Sequence, residues 1–201
     1  MNHREEEKDF EGMQKEPIYV SRVREVQLPL RSTPGSAGYD FFIPRYSPEY
    51  EKDLLSVFDP ETKKGFQKDE FSIFVNNQTL SIEIPPGSKV KIPSGIHYVI
   101  PENHAWIVFN KSGRSFDDEV LKLAEVCDED YQGEIVFSIW NTSSAFLSLK
   151  FNQKLLQAVL LPVVKAEVVE LPFENIYKEK TLRGEGGFSS TGLHHPGEKD
   201  V

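Results

Sequence analysis

Cysteine is nearly missing from this sequence, which has Cys127 alone among its 201 residues. A single thiol excludes an internal disulfide framework and a metal site built from several cysteines, and it favours a reducing, cytoplasmic location. Long apolar runs are also missing, since none approaches the roughly 20 residues that a membrane-spanning helix needs. The first residues, 1–9, are too charged for a secretory signal peptide. We therefore expect no association with a membrane.

Positive charge is in short supply as well, because 23 Lys and Arg stand against 32 Asp and Glu, a formal net charge of −9. Binding to DNA or RNA depends on clustered basic side chains that contact phosphates, so we expect no direct nucleic-acid binding. A small anionic ligand is compatible with this charge, since a local basic pocket can oppose the global field. The length and a hydrophobic fraction of 38% predict one domain with a substantial core.

Short apolar segments separated by turn residues dominate the chain from Ile18 onward. Several of them alternate apolar and polar residues, which is typical of half-buried strands. The predicted strands cover residues 71–75, 80–84, 90–92, 96–100, 105–109, 134–140, 146–151, 155–161 and 166–171. Pro and Gly mark turns at 85–87, 93–95 and 101–103. The pattern predicts an all-β fold, a jelly-roll or β-sandwich-like barrel with one or two short helices.

Two segments carry helix signals. Ser47 is a suitable N-cap for a helix over 47–55, with Pro48 at its first position. Ser115 is a suitable N-cap for a second helix over 115–123, whose first turn is acidic.

Changes in composition suggest how the chain is divided. We expect a flexible N-terminal segment at 1–17, a jelly-roll core at 18–173 and a flexible C-terminal arm at 174–201. Residues 45–78 are charged and irregular, and we predict that they form an insertion in the core.

Two loops of the core carry polar candidates, at Asp40 and at Lys111–Gly113. Asp40 follows a Pro-Gly turn, although an Asp in a loop is commonly just a solvated turn residue. Lys111, Ser112 and Gly113 lie between a predicted strand and a predicted helix. Successive backbone N–H groups at such a junction can bind a phosphate, but an ordinary turn has the same composition.

Two further positions lie in the second half of the core. Asp128 lies in the stretch 126–133, where a hairpin could direct its carboxylate at a water molecule that it orients and deprotonates. The alternative is a solvated acidic turn. Gln157 is the lone amide within the apolar run 155–161, and it needs a hydrogen-bond partner that is either a core group or a ligand.

The C-terminal stretch Arg183–Gly192 is rich in glycine and hydroxyl groups. Its glycines let the backbone wrap a ligand closely, and Arg183, Ser190 and Thr191 suit phosphate oxygens. Phe188 could lie flat on a base. A polar tail without a ligand is the alternative.

In their order along the chain, these five stretches resemble the five motifs of the trimeric dUTP diphosphatases (dUTPases), in particular bacterial or bacteriophage members. The step from Ser112 to Asp128, 128 − 112 = 16, matches the family spacing. The resemblance covers about 26–192, with the insertion between the first two motifs. It implies a jelly-roll homotrimer that uses Mg²⁺ to hydrolyse dUTP to dUMP and diphosphate. This reaction limits uracil incorporation into DNA and supplies dUMP for thymidylate synthesis.

The resemblance also implies roles for single residues. Asp128 would be the catalytic base, and Asp40 would contact the metal ion through water. The nucleoside would be bound by Val126, Cys127 and Tyr131. The phosphates would be bound by Lys111, Ser112, Gly113 and Gln157. The arm would close over the nucleotide through Arg183, Phe188, Ser189, Ser190 and Thr191.

Two other functions stay open on the sequence alone. The dCTP deaminases share the expected fold, and some members both deaminate and hydrolyse. A jelly-roll regulatory protein that binds a protein partner through residues 45–78 belongs to a different class.

Overall fold

The computed structural model of the chain describes residues 16–56, 74–113 and 120–186. The chain divides into two compact units, Met1–Val164 and Lys165–Val201. The domain boundaries that we expect from the sequence stay predictions. No helix in the described ranges is both long and apolar enough to cross a membrane.

The first unit is built from short strands, and the predicted all-β jelly-roll class is confirmed. The strands are β1 (Tyr19–Arg22), β2 (Tyr39–Phe42), β3 (Phe74–Asn76), β4 (Ser81–Ile84), β5 (Lys89–Pro93), β6 (Ile96–Val99), β7 (His104–Phe109), β8 (Val120–Lys122), β9 (Val126–Cys127), β10 (Val136–Asn141), β11 (Leu147–Lys150) and β12 (Lys154–Pro162). They pair antiparallel in the orders β1-β6, β5-β10-β8, β11-β4-β3 and β2-β12-β7-β9. The helices are α1 (Pro48–Ser56) in the first unit and α2 (Phe173–Ile176) in the second.

The core lies between the sheets, where alternate residues of the strands point inward. In β11, Leu147 and Leu149 are buried while the residue that follows each is exposed, so the predicted alternation is confirmed there. Aromatic rings fill the centre. Phe41 meets Trp106 edge to face with ring centroids 5.2 Å apart, and it meets Phe137 in the same way at 5.4 Å.

The turns between strands depend on residues that tolerate a positive φ. Gly87 and Gly95 have φ values of 70° and 76°, as their predicted turn positions suggest. Gly95 also lies in a crowded place, because a Cβ there would be 2.9 Å from Cγ1 of Val26. Asn103, at φ 57°, ends the third predicted turn.

Helix α1 confirms the first predicted helix and packs into the core. The Ser47 side-chain oxygen accepts a hydrogen bond from the Tyr50 backbone N–H at 3.1 Å, which is the predicted cap. Tyr50 and Leu54 are buried, and the Tyr50 hydroxyl donates to the Pro93 carbonyl at 2.8 Å. The beginning of the predicted insertion is therefore part of the packed interior.

The second predicted helix, 115–123, is wrong where it can be compared. Residues Val120–Lys122 form β8, with Val120 paired to Asn141 of β10. The preceding residues 115–119 lie outside the described residues. A buried β-branched side chain beside a free strand edge outweighs the local capping signal, because burial and ladder hydrogen bonds are worth more than one cap.

The strand predicted at 166–171 is also wrong. These residues pair with no strand of the described chain, and their side chains are exposed. Apolar content alone does not make a strand, since the backbone groups need a partner edge.

Asn141 is a buried polar residue that ties three chain segments together. Its Nδ2 donates to the carbonyls of Ile84, Pro85 and Ala145 at 2.9–3.1 Å. Its Oδ1 accepts from the N–H and hydroxyl of Ser143 at 3.1 and 2.8 Å. The residue is fully buried, so water cannot replace these bonds.

We predict that Asn141→Ala lowers the free energy of unfolding by about 2–4 kcal/mol, because several buried backbone groups lose their partner at once. Urea denaturation followed by tryptophan fluorescence measures the loss. The exposed Asn77→Ala is the matched control and should change stability by less than about 0.5 kcal/mol. Equal losses of stability in the two variants would contradict the conclusion that the buried hydrogen bonds of Asn141 stabilise the fold.

Candidate functional site

The register of β12 brings three of the predicted stretches together. Gln157 lies opposite Asp40 of β2 on one side and opposite Phe109 of β7 on the other. Lys111 lies two residues beyond the end of β7, so it is close to these paired residues. The first, second and fourth candidate stretches therefore meet in one region of the sheet.

Asp40 lies at the centre of this region and is 4% exposed. Its Oδ1 accepts a short hydrogen bond from Lys111 Nζ, while Oδ2 lies 2.7 Å from both Lys154 Nζ and the Ser32 hydroxyl. Burial alone would raise the pKa of Asp40, but the hydrogen bonds from Lys111, Lys154 and Ser32 outweigh it and lower the pKa to about 2. The carboxylate is therefore ionised at neutral pH.

We call Asp40, Lys111, Lys154 and Ser32 the Asp40 cluster. Two ammonium groups face one carboxylate in it, so the cluster carries a net positive charge in an acidic protein. Lys154 and Ser32 were not among the sequence candidates. The signal that points to Lys154 is its place as the charged residue that opens β12 ahead of an apolar run. Ser32 has no sequence signal beyond its neighbouring turn.

Gln157 uses its amide within the protein. Its Nε2 donates to the Asn110 carbonyl at 3.0 Å, which fixes the beginning of the Lys111 loop. A Cβ at Gly38 would be 2.8 Å from Gln157 Oε1, so the glycine lets this loop approach β12 without displacing the Gln157 amide. The amide therefore connects the first and second candidate stretches.

Ser112 and Gly113 are exposed and have helical backbone conformation. Backbone N–H groups at the beginning of a helical turn lack intrahelical partners and are suited to an anion. The residues that follow, 114–119, lie outside the described residues.

The third stretch forms a loop after β9. The Asp128 carbonyl accepts a hydrogen bond from the Tyr98 hydroxyl at 2.6 Å, and the Asp128 side chain is exposed. The Tyr131 hydroxyl donates to the Glu134 carbonyl at 2.9 Å. A Cβ on Gly133 would lie 2.2 Å from the Tyr131 hydroxyl oxygen, so the phenol ring packs directly on this glycine and would have to move if a side chain were added. Tyr98, which orients this loop, was not a sequence candidate.

Strand β9 lies at the edge of its sheet and leaves backbone groups for a ligand. The Val108 N–H donates to the Glu125 carbonyl at 2.7 Å, so Glu125 faces β7. Backbone direction alternates along an antiparallel strand, and the N–H and C=O of Val126 therefore point away from β7.

Cys127 is not a nucleophile in this arrangement. Burial, together with the nearby Asp128 charge, raises the pKa of its thiol to about 11. A neutral thiol at physiological pH is a poor nucleophile, which leaves a structural or contact role for Cys127.

The third stretch is far from the Asp40 cluster within one chain. Cys127 of β9 pairs with Trp106 of β7, which in turn pairs with Leu160 of β12. Leu160 is three residues along β12 from Gln157. Strands β2 and β9 are also separated by β12 and β7. With strand spacings of about 4.8 Å and rises of about 3.4 Å, Asp40 and Cys127 are separated by roughly 17 Å. A ligand the size of a single phosphate or a single base cannot contact both places in one chain.

The fifth stretch belongs to the second unit. Arg183 is exposed, and its Nε donates to the Gly186 carbonyl at 2.8 Å within a turn. The candidates Phe188, Ser189, Ser190 and Thr191 lie outside the described residues.

The carboxylates near Asp40 decide how a divalent ion could bind in the described part of the chain. The described ranges contain no group of three or more His, Cys, Asp or Glu side chains suited to a metal. Both carboxylate oxygens of Asp40 are already hydrogen-bonded. These groups fit Mg²⁺ that keeps its waters and binds chiefly to a phosphate ligand, which is its usual behaviour.

Comparison with known proteins gives consistent matches. The family model described as dUTPase matches residues 71–192. The deoxyuridine 5'-triphosphate nucleotidohydrolase of Acinetobacter baumannii is 38% identical over 116 residues, which are 56% of this chain and 74% of that protein.

Solved structures show the same fold. The dUTPase of Staphylococcus bacteriophage 80alpha, determined with dUPNHPP, superposes with a TM-score of 0.65 at 16% identity, covering 88% of this chain and 99% of that one. A mutant dUTPase from phage phi11 of S. aureus, described as revealing the coordination of a structural Mg(II) ion, has a TM-score of 0.57 at 16% identity, covering 82% and 100%.

We predict that the Asp40 cluster stabilises the fold above pH 4 and loses this effect in acid. The pKa of Asp40 falls from 3.8 to about 2 on folding, so its contribution is complete above the unfolded value and disappears as the pH approaches 2. The stability difference between the wild type and Asp40→Asn should shrink by about 2 kcal/mol between pH 6 and pH 2. Urea titrations of both proteins across this range measure the difference, and a difference independent of pH would contradict the predicted ionisation.

Proposed function

The chain belongs to the dUTPase family and hydrolyses dUTP to dUMP and diphosphate, and we propose that it does so at sites shared between the subunits of a homotrimer. The family match over residues 71–192 carries the assignment of the reaction. The separation between the Asp40 cluster and the β9 loop supports the shared site, since a nucleoside triphosphate must contact both. A second subunit can bring its own β9 loop to the first subunit's cluster.

The triphosphate would bind at the Asp40 cluster. Lys111 would contribute an ammonium group, and Ser112 and Gly113 would contribute backbone N–H groups and a hydroxyl. Gln157 would hold the loop in place through Asn110, to which it is hydrogen-bonded, and would present its remaining polar atoms to the phosphates. Asp40 would not act as a base, because its low pKa makes it a poor proton acceptor at neutral pH.

Asp128 would be the general base. Its exposed carboxylate would accept a proton from a water molecule as the water oxygen forms a bond to the α-phosphorus. The bond from this phosphorus to the diphosphate oxygen breaks in the same displacement, and the diphosphate leaves with that bond's electron pair. The Tyr98 hydroxyl would help to hold Asp128 in position, since it donates a hydrogen bond to the Asp128 carbonyl.

The nucleoside would be recognised by the β9 loop. The outward N–H and C=O of Val126 match a uracil edge, which has both an acceptor and a donor. Cys127, paired with Trp106, would line the pocket as a neutral thiol. Tyr131 would lie against the deoxyribose, and its fixed ring would leave no room for a 2′-hydroxyl.

Mg²⁺ would accompany the triphosphate and reduce the repulsion between its charges, which eases the departure of diphosphate. Asp40 would contact the ion through water. This indirect role agrees with the lysine contacts that occupy both of its oxygens.

The C-terminal arm would complete the site of a neighbouring subunit. Apolar side chains of the second unit, at Val168, Phe173, Tyr177 and Leu182, are largely exposed in the single chain, and a second copy could cover them. Arg183, Phe188, Ser189, Ser190 and Thr191 would then close over the nucleotide. Binding of a separate protein partner through 45–78 stays a prediction, since residues 57–73 lie outside the described residues.

We predict that the purified protein releases diphosphate from dUTP in preference to dTTP, dCTP and UTP, and that chelation of Mg²⁺ reduces the rate. One methyl or hydroxyl group in a tight pocket is worth about 1–3 kcal/mol, so kcat/KM for dUTP should exceed each competitor by at least about tenfold. A coupled diphosphate assay with and without EDTA measures this. Equal hydrolysis of all four nucleotides, or ammonia release from dCTP, would overturn the assignment.

We predict that two inactive variants restore activity when they are mixed. Asp128→Asn lacks the base and Lys111→Ala lacks a phosphate contact, so each alone should lose at least about 100-fold in kcat/KM. If two different chains supply these residues, about a quarter (½ × ½) of the sites in randomly mixed trimers keep both.

The measurement is dUTP hydrolysis after the two variants are unfolded together in urea and refolded. Each variant refolded alone is the control. An inactive mixture of correctly folded trimers, or a fully active monomer, would show that one chain supplies both residues.

A further inference from the structure

A network of charged side chains connects helix α1 to the loop that contains Tyr131. The Arg24 guanidinium donates to both carboxylate oxygens of Glu134, at 2.9 and 3.0 Å. It also donates to Asp53 of α1 at 2.6 Å and lies over the Tyr50 ring, 5.2 Å from its centroid. The side chains of Arg24 and Glu134 are only 19% and 16% exposed, so water screens this interaction weakly.

Glu134 has two functions in this network. Its carboxylate oxygen Oε1 also accepts the Gly95 backbone N–H at 2.6 Å, which attaches the residue to the turn before β6. Its carbonyl accepts the Tyr131 hydroxyl at 2.9 Å. The side chain of Glu134 therefore determines where the acceptor of Tyr131 lies.

Tyr131 is 45% exposed, and within the loop its position is set by the hydrogen bond to Glu134 and by two packing contacts. Its hydroxyl end lies on Gly133, where not even a Cβ would fit. Its ring is 6.4 Å from the Tyr98 ring on the other side. A displacement of the Glu134 carbonyl must therefore move the phenol itself or break its hydrogen bond.

We propose that Arg24 is a positioning residue that acts through Glu134 on Tyr131, and that α1 supports it through Asp53, so that discrimination against a 2′-hydroxyl depends on this network. The inference rests on the proposed contact of Tyr131 with the sugar. It assigns the first part of the predicted insertion to substrate selection. Arg24 and Asp53 both precede residue 71, where the family match begins, while Glu134 and Tyr131 lie within the matched range.

The geometry favours a role in positioning over one in general stability. A bidentate pair between guanidinium and carboxylate fixes direction as well as distance, which a lysine cannot do. The network contacts the core through Tyr50, but its carboxylate partner Glu134 belongs to the polar loop. Steric rejection of one hydroxyl group depends on displacements well under about 1 Å, so a small relaxation of this pair is sufficient to weaken it.

The test compares kcat/KM for dUTP with kcat/KM for UTP in matched variants of the full-length protein. Arg24→Gln removes the bidentate pair, and Glu134→Gln keeps an acceptor for Gly95 but removes the charge. Arg45→Gln is the control, because Arg45 forms an equally short ion pair with Glu25 on the exposed surface. Arg24→Lys keeps the positive charge but lacks the planar guanidinium, so it tests whether charge alone is sufficient to position Glu134. Thermal melts show which variants are folded.

We expect Arg24→Gln and Glu134→Gln to reduce the dUTP-to-UTP ratio at least about tenfold, chiefly because UTP becomes a better substrate. Arg24→Lys should recover only part of the ratio, and Arg45→Gln should leave it within about twofold. If Arg24→Gln fails to fold, Glu134→Gln decides by the same criterion.

An unchanged ratio in folded Arg24→Gln or Glu134→Gln would overturn the inference while leaving the proposed function intact. A wild-type protein that does not discriminate against UTP would instead show that Tyr131 has no such contact, which is a failure of the proposed function. The two failures are therefore distinguished by the wild-type measurement.

Discussion

Strand β12 is paired on both sides, and its register with β2 and β7 determines where the polar groups of the Asp40 cluster lie. A slip of one residue would turn Gln157 to the opposite face and separate it from Asn110. The register shifts between Lys154 and Leu156, and an irregularity of this kind redirects a side chain, here toward Asp40. The buried carboxylate in turn depends on both lysines, since an unpaired charge at that depth would be strongly destabilising. Pairing of strands thus comes first, and the electrostatics of the site follow from it.

Most strands from residue 74 onward can be predicted from local pattern, whereas β1, β2 and β9 are not among the predicted strands. The alternation in 146–151 and the Pro-Gly turns at 85–87 and 93–95 agree with β11 and with the positive φ angles of Gly87 and Gly95. The failures are non-local. Residues 120–122 carry a helix signal, but the edge of β10 offers them a better partner. Residues 166–171 are apolar enough for a strand, yet no described strand receives them.

The site is predictable to a similar extent and for the same reason. The resemblance to the family's motifs identifies Asp40, Lys111 and Gln157, and the structure places them together. It does not identify Lys154 or Tyr98, whose importance comes from contacts across distant segments of the chain. Glu134 illustrates the limit best. Its neighbour in space is Arg24, more than a hundred residues earlier, and no local pattern marks that pair.

Strand β9 has one more consequence, which follows from its position at the edge of the sheet. Backbone groups that are free to bind a base are equally free to bind a strand of another molecule, and long exposed edges of this kind promote aggregation. Here the edge is only two residues long, Val126–Cys127, and three acidic residues, Asp128, Glu129 and Asp130, follow at once. A foreign strand would meet their negative charge after a single pair of residues. The brevity of this edge therefore limits edge-to-edge aggregation.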